Sequence, residues 1–263
     1  MLKHITIEGV RNLAQTEVAL PAGATVLFGA NGSGKTSFLE AIHLLAVGRS
    51  FRTHQSKPVI QHGVAHCRVV GEVQRGRRST VMGLEKHRDG NVKARVAGEN
   101  VPSLSELALH LPLVLLDTEG LGIVTGPPEG RRRLLDGTLF HVEQRFLSQW
   151  KRYALAVRQR NSGLRRGILD SDKAWRHEIA ETGTLLTQQR QALVEKLADE
   201  LARLVPALSD DLVGLEVMFR AGWDQKLSLA EALERNADSD TAQGFTQVGP
   251  HRADLRLMRD GGL

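Results

Sequence analysis

The sequence predicts an α/β fold joined to a helical hairpin, and three stretches predict it. Gly29-Ala30-Asn31-Gly32-Ser33-Gly34-Lys35-Thr36 stands between a short apolar run and an apolar-periodic helix. Residues 64–97 alternate and turn repeatedly, as an antiparallel meander does, and residues 129–208 carry two long amphipathic patterns with a short connection.

At 263 residues the chain can hold one large core, or a core plus an appendage. No apolar run approaches the roughly 20 residues of a membrane span, and Met1-Leu2-Lys3-His4-Ile5-Thr6 lacks signal-peptide architecture. The single cysteine, Cys67, cannot form an internal disulfide. These readings point to the cytoplasm, with no membrane partner.

The net charge of +5 is unevenly spread. Residues 131–166 contain ten basic residues against Asp136 and Glu143, a net of +8, so the remainder is acidic by 3. Surface helices usually mix both signs, and a one-sign segment points to a polyanion, nucleic acid first. Arg131, Arg132, Arg133, Lys151 and Arg152 are the candidate DNA contacts.

In chain order, Leu2 to Val10 and Thr16 to Leu20 read as strands with Ile5, Ile7, Val18 and Leu20 inward. The intervening turn sets Arg11 and Asn12 at a strand end, where they contact phosphate or base, or stand as solvated turn residues. Ala24-Thr25-Val26-Leu27-Phe28 reads as a buried parallel strand feeding the glycine-rich stretch, and Ser37 to Val47 as the helix leaving it, stopped by Gly48. Gly29, Ala30, Asn31, Gly32, Ser33, Gly34, Lys35 and Thr36 satisfy G-x-x-x-x-G-K-S/T: the loop amides cradle phosphates, Lys35 reaches the outer ones, and the Thr36 hydroxyl ligates Mg²⁺. Arg52 in the following loop is near enough in sequence to swing to a γ-phosphate.

Ser103-Leu104-Ser105-Glu106 has the form of a capping box, opening a short helix that Pro112 closes. Leu113-Val114-Leu115-Leu116-Asp117-Thr118-Glu119 then has the form of a Walker B strand, four apolar residues and an acid. On spacing alone Asp117 would hold Mg²⁺ and Glu119 would polarise water, making the chain a self-contained P-loop NTPase. Glu129 to Asn161 and Asp172 to Leu208 are the two long helices of an antiparallel hairpin. The second keeps a stripe of Trp175, Ile179, Thr182, Leu186, Leu193, Leu197, Leu201 and Leu204. Leu212 to Phe219 reads as a strand, Ser228-Leu229-Ala230-Glu231 as a capped helix start, the run after Asp254 as a strand, and Asp260-Gly261-Gly262 as a turn.

Taken together, Gly29 to Thr36 with Leu39-Glu40-Ala41-Ile42, Gly48-Arg49-Ser50-Phe51-Arg52-Thr53, Glu119-Gly120-Leu121, Arg132-Arg133-x-Leu135-Asp136 and Gly249-Pro250-His251-Arg252-x-Asp254-Leu255 resemble the RecF family of bacterial DNA replication and repair proteins. The resemblance implies an ABC-type P-loop ATPase head like those of Rad50 and SMC proteins: a mixed sheet around the Walker A helix, an antiparallel meander, and an inserted helical-hairpin second lobe. It assigns 1–112 and 212–263 to an incomplete ATPase lobe and 113–211 to the helical arm. It further implies ATP and Mg²⁺ as cofactors, an ATP-dependent homodimer, action at single-strand/double-strand junctions of gapped DNA with RecO and RecR, recombinase loading, the SOS response and a nucleoid-associated location.

The same resemblance moves Asp117 and Glu119 away from Walker B, to a place near the Q-loop of ABC heads, where relatives carry Ser/Thr-Pro-Glu. It leaves Glu119 as a sensor of Mg²⁺ or γ-phosphate and sharpens Arg52 as a phosphate contact. Such a chain is expected to continue past Leu263 into a signature motif and Walker B, so the sequence as given reads as truncated, binding ATP without hydrolysing it. The alternatives are the self-contained NTPase, which turns over ATP alone, and a nucleotide-gated DNA-binding module without chemistry.

Overall fold

A computed structural model describes residues 1–53, 55–116, 120–143 and 145–259. They fall into two compact units, Met1–Leu115 and Leu116–Leu263. The expected turn at Asp260, together with Asp117, Thr118 and Glu119, lies outside the described residues.

The first unit is a six-stranded sheet with a helix on one face. Its strands are β1 (Leu2–Val10), β2 (Leu13–Ala19), β3 (His66–Arg75), β4 (Arg78–His87), β5 (Val92–Val96) and β6 (Glu99–Asn100), in the order β2-β1-β3-β4-β5-β6. Every pairing between them is antiparallel. The period-2 pattern sets the register: Ile5 pairs with Gly71 and Ile7 with Val69, and Ile5, Ile7, Val69, Met82 and Leu84 share the buried face. Onto it packs α1 (Lys35–Val47) through Phe38, Ala41, Leu44 and Leu45. Gly71 is glycine because a Cβ there would collide with Leu45 and Leu2. A short helix, α2 (Ser105–His110), buries Leu107 in the same core.

Three local expectations for this unit are corrected. Residues 24–28 form no strand, with Val26 79% and Phe28 92% exposed, and Val114 and Leu116 at 79% and 85% are similar. A buried parallel strand needs parallel neighbours, and no parallel pairing occurs among the described residues. Ser103 does not build a capping box: Leu104 occupies the cap position, and the Ser103 hydroxyl accepts from the Ser105 amide at 3.3 Å instead.

The second unit is helical with a two-stranded sheet. It comprises α3 (Leu121–Thr125), α4 (Pro128–Val142), α5 (Phe146–Arg166), α6 (Asp172–Leu208), β7 (Leu215–Arg220), α7 (Leu229–Arg235), α8 (Ala237–Gln243) and β8 (Asp254–Arg259). The expected single helix from Glu129 to Asn161 is two helices. α4 ends at Glu143, whose extended backbone breaks the run, while α5 continues past Asn161 to the left-handed Gly167. Leu139, Phe146, Tyr153, Ala156, Ile179 and Leu186 form the main core between α4, α5 and α6, with Leu229 and Leu233 of α7. Ser228 and Glu231 form the capping box that starts α7. β7 and β8 pair antiparallel with each other, and Leu255 packs with Leu135 and Val194. By packing, residues 215–259 therefore group with the helices, whereas the family resemblance groups 212–263 with residues 1–112.

Candidate nucleotide-binding site

The glycine-rich loop forms a cradle braced by the side chains of Lys35, Asn12 and Ser37. Gly32 and Gly34 hold φ of 80° and 101°, and Gly34 caps α1 with no side-chain hydrogen bond, which leaves the first-turn amides directed outward. A Cβ on Gly34 would lie 2.7 Å from Leu13 Cδ2, so sterics and dihedral both demand glycine. Lys35 Nζ folds back to donate to the carbonyls of Gly29 at 2.8 Å and Ala30 at 2.9 Å, holding the ammonium over the loop. Asn12 straps the cradle: its Nδ2 donates to Gly32 O at 2.8 Å and its Oδ1 accepts from Ser37 Oγ at 2.8 Å.

Arg11 and Arg52 converge on one buried carboxylate. Arg11 adopts the left-handed region, φ 55°, held there by its amide donating to Val59 O at 2.8 Å. Its guanidinium donates to both oxygens of Glu40, at 2.9 and 2.8 Å, and Arg52 Nη1 lies 3.5 Å from Glu40 Oε2. Ser50 Oγ donates to Glu40 at 2.5 Å while accepting from the amides of Arg52 and Thr53, which fixes the loop that carries Arg52. Glu40 is 0% exposed. Burial pushes its pKa up, but the hydrogen bonds from Arg11 and Ser50 and the two guanidinium charges outweigh that, and the carboxyl lies below its ordinary range.

These groups open into a cleft of ≈ 600 Å³ lined by Arg11, Asn12, residues 31–37 and Arg52. Thus the expected cofactor-binding residues Arg11, Asn12 and Asn31 to Thr36 meet at one place, and Arg52 joins them. The cleft suits a polyanion. It presents outward amides, an ammonium and two guanidiniums, and none of its lining residues is acidic. Thr36 also faces it, with a hydroxyl that has no protein partner among the described residues and is suited to a phosphate-bound Mg²⁺. Among the described residues no cluster of His, Cys, Asp or Glu suits a protein-held metal, and no helix is long and apolar enough to cross a membrane. Sequence reasoning missed Glu40, Ser50 and Ser37 as organisers of the cleft. The signal was available for Glu40: it shares the buried face of α1 with Phe38, Ala41 and Leu44, and a carboxylate there requires cationic partners.

The basic segment is less uniform than its charge count. Arg131 is buried and structural: it pairs with Asp254 at 2.8 Å and donates to the carbonyls of Ile123 and Gly126. Arg132 donates to Ala253 O at 2.8 Å. Arg133 is exposed and pairs with Glu129, and Arg152 is exposed and pairs with Glu178 at 2.8 Å. Lys151 is exposed and has no partner among the described residues.

Comparison with known proteins places this geometry. Residues 1–228 match the RecF/RecN/SMC N terminal domain. The chain is 42% identical over 259 residues to the DNA replication and repair protein RecF of Stutzerimonas stutzeri (strain A1501), covering 97% of this chain and 70% of that one. Over 264 residues it is 40% identical to RecF of Pseudomonas fluorescens (strain Pf-5), covering 99% and 71%. A solved structure of the recombination mediator protein RecF-ATPrS in the RecFOR pathway superposes with a TM-score of 0.87 at 25% identity, covering 99% of this chain and 74% of the other. An SmcHead structure, 14% identical with a TM-score of 0.53 over 99% of this chain and 68% of its own, shares the fold. The fold is that of RecF and SMC ATPase heads, α/β with an antiparallel sheet and a helical lobe. With residues 1–228 matched and RecF relatives about 40% identical along nearly the whole chain, this protein belongs to the RecF family.

Proposed function

We propose that this chain binds ATP with Mg²⁺ at Gly29–Thr36 and serves replication-linked recombinational repair of gapped DNA. The observation that carries the reading is the strapped cradle: Lys35 poised over the Gly29 and Ala30 carbonyls, Asn12 holding Gly32, and two guanidiniums facing the same cleft. The family's RecF-ATPrS and RecF-ATP structures support the nucleotide, and the printed role of the relatives supports the process. The Thr36 hydroxyl would hold a Mg²⁺ ion, which when bound would offset phosphate charge. On this reading the loop amides and Lys35 hold the phosphates, Arg11 and Arg52 add charge at the rim, and Glu119 senses the metal or γ-phosphate. DNA meets the helical unit through its outward cations, Arg133 and Lys151 first, while Arg131 and Arg132 anchor α4 to the segment entering β8. Dimerisation with ATP, partnership with RecO and RecR at single-strand/double-strand junctions, a part in the SOS response and a cytoplasmic, nucleoid-associated location complete the proposal.

The test is a melting experiment. Saturating MgATP raises the melting temperature of the wild type, because a ligand at 100 times its Kd stabilises by about 2.7 kcal/mol. Lys35→Ala abolishes that rise while leaving the unliganded melting temperature nearly unchanged; an undiminished rise in the variant places the nucleotide elsewhere.

A further inference from the structure

A second cavity lies within the helical unit, between α4 and α5, with a volume of ≈ 570 Å³. That is inside the roughly 300–1,000 Å³ range of small-ligand sites. Its charges do not cancel. Of the guanidiniums lining it, Arg190 pairs with Asp136 and Arg133 with Glu129, which uses both carboxylates in the wall. Arg132, Arg158 and Arg165 remain, and none of the three has a carboxylate partner among the described residues. Three like charges around one cavity repel each other, and Arg132 is also partly desolvated: burial and the neighbouring Arg190 push its pKa down. An anion relieves both costs.

The α5 wall that carries Arg158 and Arg165 is also partly apolar. α5 presents Trp150, Ala154 and Val157 to the cavity, one face at helical spacing, and the Trp150 residue is 40% exposed. The floor is rigid and its polar atoms are spent. Arg190 donates to Pro250 O at 2.7 Å, Tyr153 OH donates to His251 Nδ1 at 2.6 Å, and His251 Nε2 donates to Thr246 O at 2.9 Å. The chemistry on offer is therefore guanidinium forks beside a flat aromatic-aliphatic surface. Guanidiniums take phosphate oxygens in pairs, and such surfaces stack nucleobases with little regard to sequence.

We propose that this cavity is a second ligand site that takes one nucleotide unit, phosphate on Arg132, Arg158 and Arg165 and base against Trp150 and Val157. None of its lining residues belongs to the Gly29–Thr36 cradle. The nucleotide comes either free or as part of a single strand; in the second case the inference deepens the nucleic-acid reading of the helical unit and rests on it.

The experiment uses the full chain carrying Lys35→Ala, so that the cradle does not compete. Tryptophan fluorescence is followed on titration with dTMP, with inorganic phosphate as competitor, and in parallel with a short oligothymidylate and a duplex. Binding of dTMP quenches the emission, phosphate reverses the quench, and Trp150→Phe abolishes it. The exposed pair Arg158→Ala and Arg165→Ala keeps the melting temperature and weakens dTMP by about tenfold or more, as the loss of charge-assisted phosphate contacts requires. Oligothymidylate bound much more tightly than dTMP identifies a strand as the source, and equal affinity identifies the free nucleotide; both support the site. A quench that survives Trp150→Phe, or a dTMP affinity unmoved by the arginine pair, overturns it. The duplex separates the two readings: duplex binding without any dTMP response overturns the pocket and keeps the DNA reading, whereas a dTMP response without duplex or oligothymidylate binding supports the pocket and overturns the DNA reading.

Discussion

Arg11 and Glu40 form a two-point ion pair, 2.9 and 2.8 Å, between the β1–β2 turn and the middle of α1, with the carboxylate wholly buried. One residue thus fixes the cleft's two guanidiniums, because Ser50 and Arg52 reach the same carboxylate. Glu40→Gln keeps the shape and removes the charge. It lowers stability by about 2 kcal/mol, the loss of charge-assisted hydrogen bonds from Arg11 and Ser50 to the carboxylate. Because the native carboxyl lies below its ordinary range, its contribution is present above the unfolded carboxylate pKa and is lost as pH falls through the folded one. Urea midpoints at neutral and acid pH check this: the gap between wild type and variant narrows toward acid.

Asn12 supplies both a donor to Gly32 and an acceptor for Ser37, so two substitutions separate its roles. Asn12→Ala removes both bonds and costs about 1–2 kcal/mol of stability. Asn12→Asp keeps the acceptor but places a negative charge beside the phosphates. Calorimetric titration with MgATP gives a weaker affinity for the aspartate than for the alanine, and the reverse order rules out phosphate close to Asn12.

His251 is held neutral in the helical unit. Burial drives its pKa down to about 4, with Arg252 and Arg132 adding to the effect against the Thr246 carbonyl. The folded value is depressed, so its share of stability is complete above the unfolded histidine pKa of about 6.5 and drains away as pH falls toward 4. The full span corresponds to about 3 kcal/mol. Thermal melts of wild type and His251→Gln between pH 7 and 4 converge as the acid limb is descended, and parallel curves would refute the neutral assignment.

Gly222 adopts φ 95°, and a Cβ there would meet backbone: the Gly249 carbonyl and, at 2.7 Å, the Ala253 amide nitrogen. Gly167 also has positive φ, 68°, but open space around it. Gly167→Ala therefore costs about 1 kcal/mol of conformational strain, and Gly222→Ala costs several times that because two backbone segments must separate. Their denaturant midpoints rank accordingly.

The cradle, the meander and the helical hairpin were legible because each is a local pattern: a loop motif, period-2 alternation, period-3.6 stripes. What escaped depends on partners distant in sequence. The apolar runs at 24–28 and 113–116 promise burial, but burial is conferred by flanking strands, and Phe28 and Leu116 lack them. Charge counting over 131–166 ignored helical phase. Arg131 shares a face with Leu135 and Leu139, and Arg160 with Tyr153, Ala156 and Leu164, so both point into the protein, where Asp254, Asp172 and Asp240 neutralise them. The stripe on α6 drifts for the same reason. Arg190 takes a buried position opposite Asp136, and the later interior positions are Val194 and Val205, while Leu204 is exposed.

α6 contains 37 residues, which at 1.5 Å per residue is a rod about 55 Å long. Arg190 stands at its midpoint, clamped to Asp136 of α4 and to the Pro250 carbonyl. Over that length each degree of tilt about Arg190 would carry either tip by about half an ångström. Asp172 at the N-terminal tip is itself held, by Arg160 at 2.8 Å, so clamps at the middle and at one end oppose such a tilt.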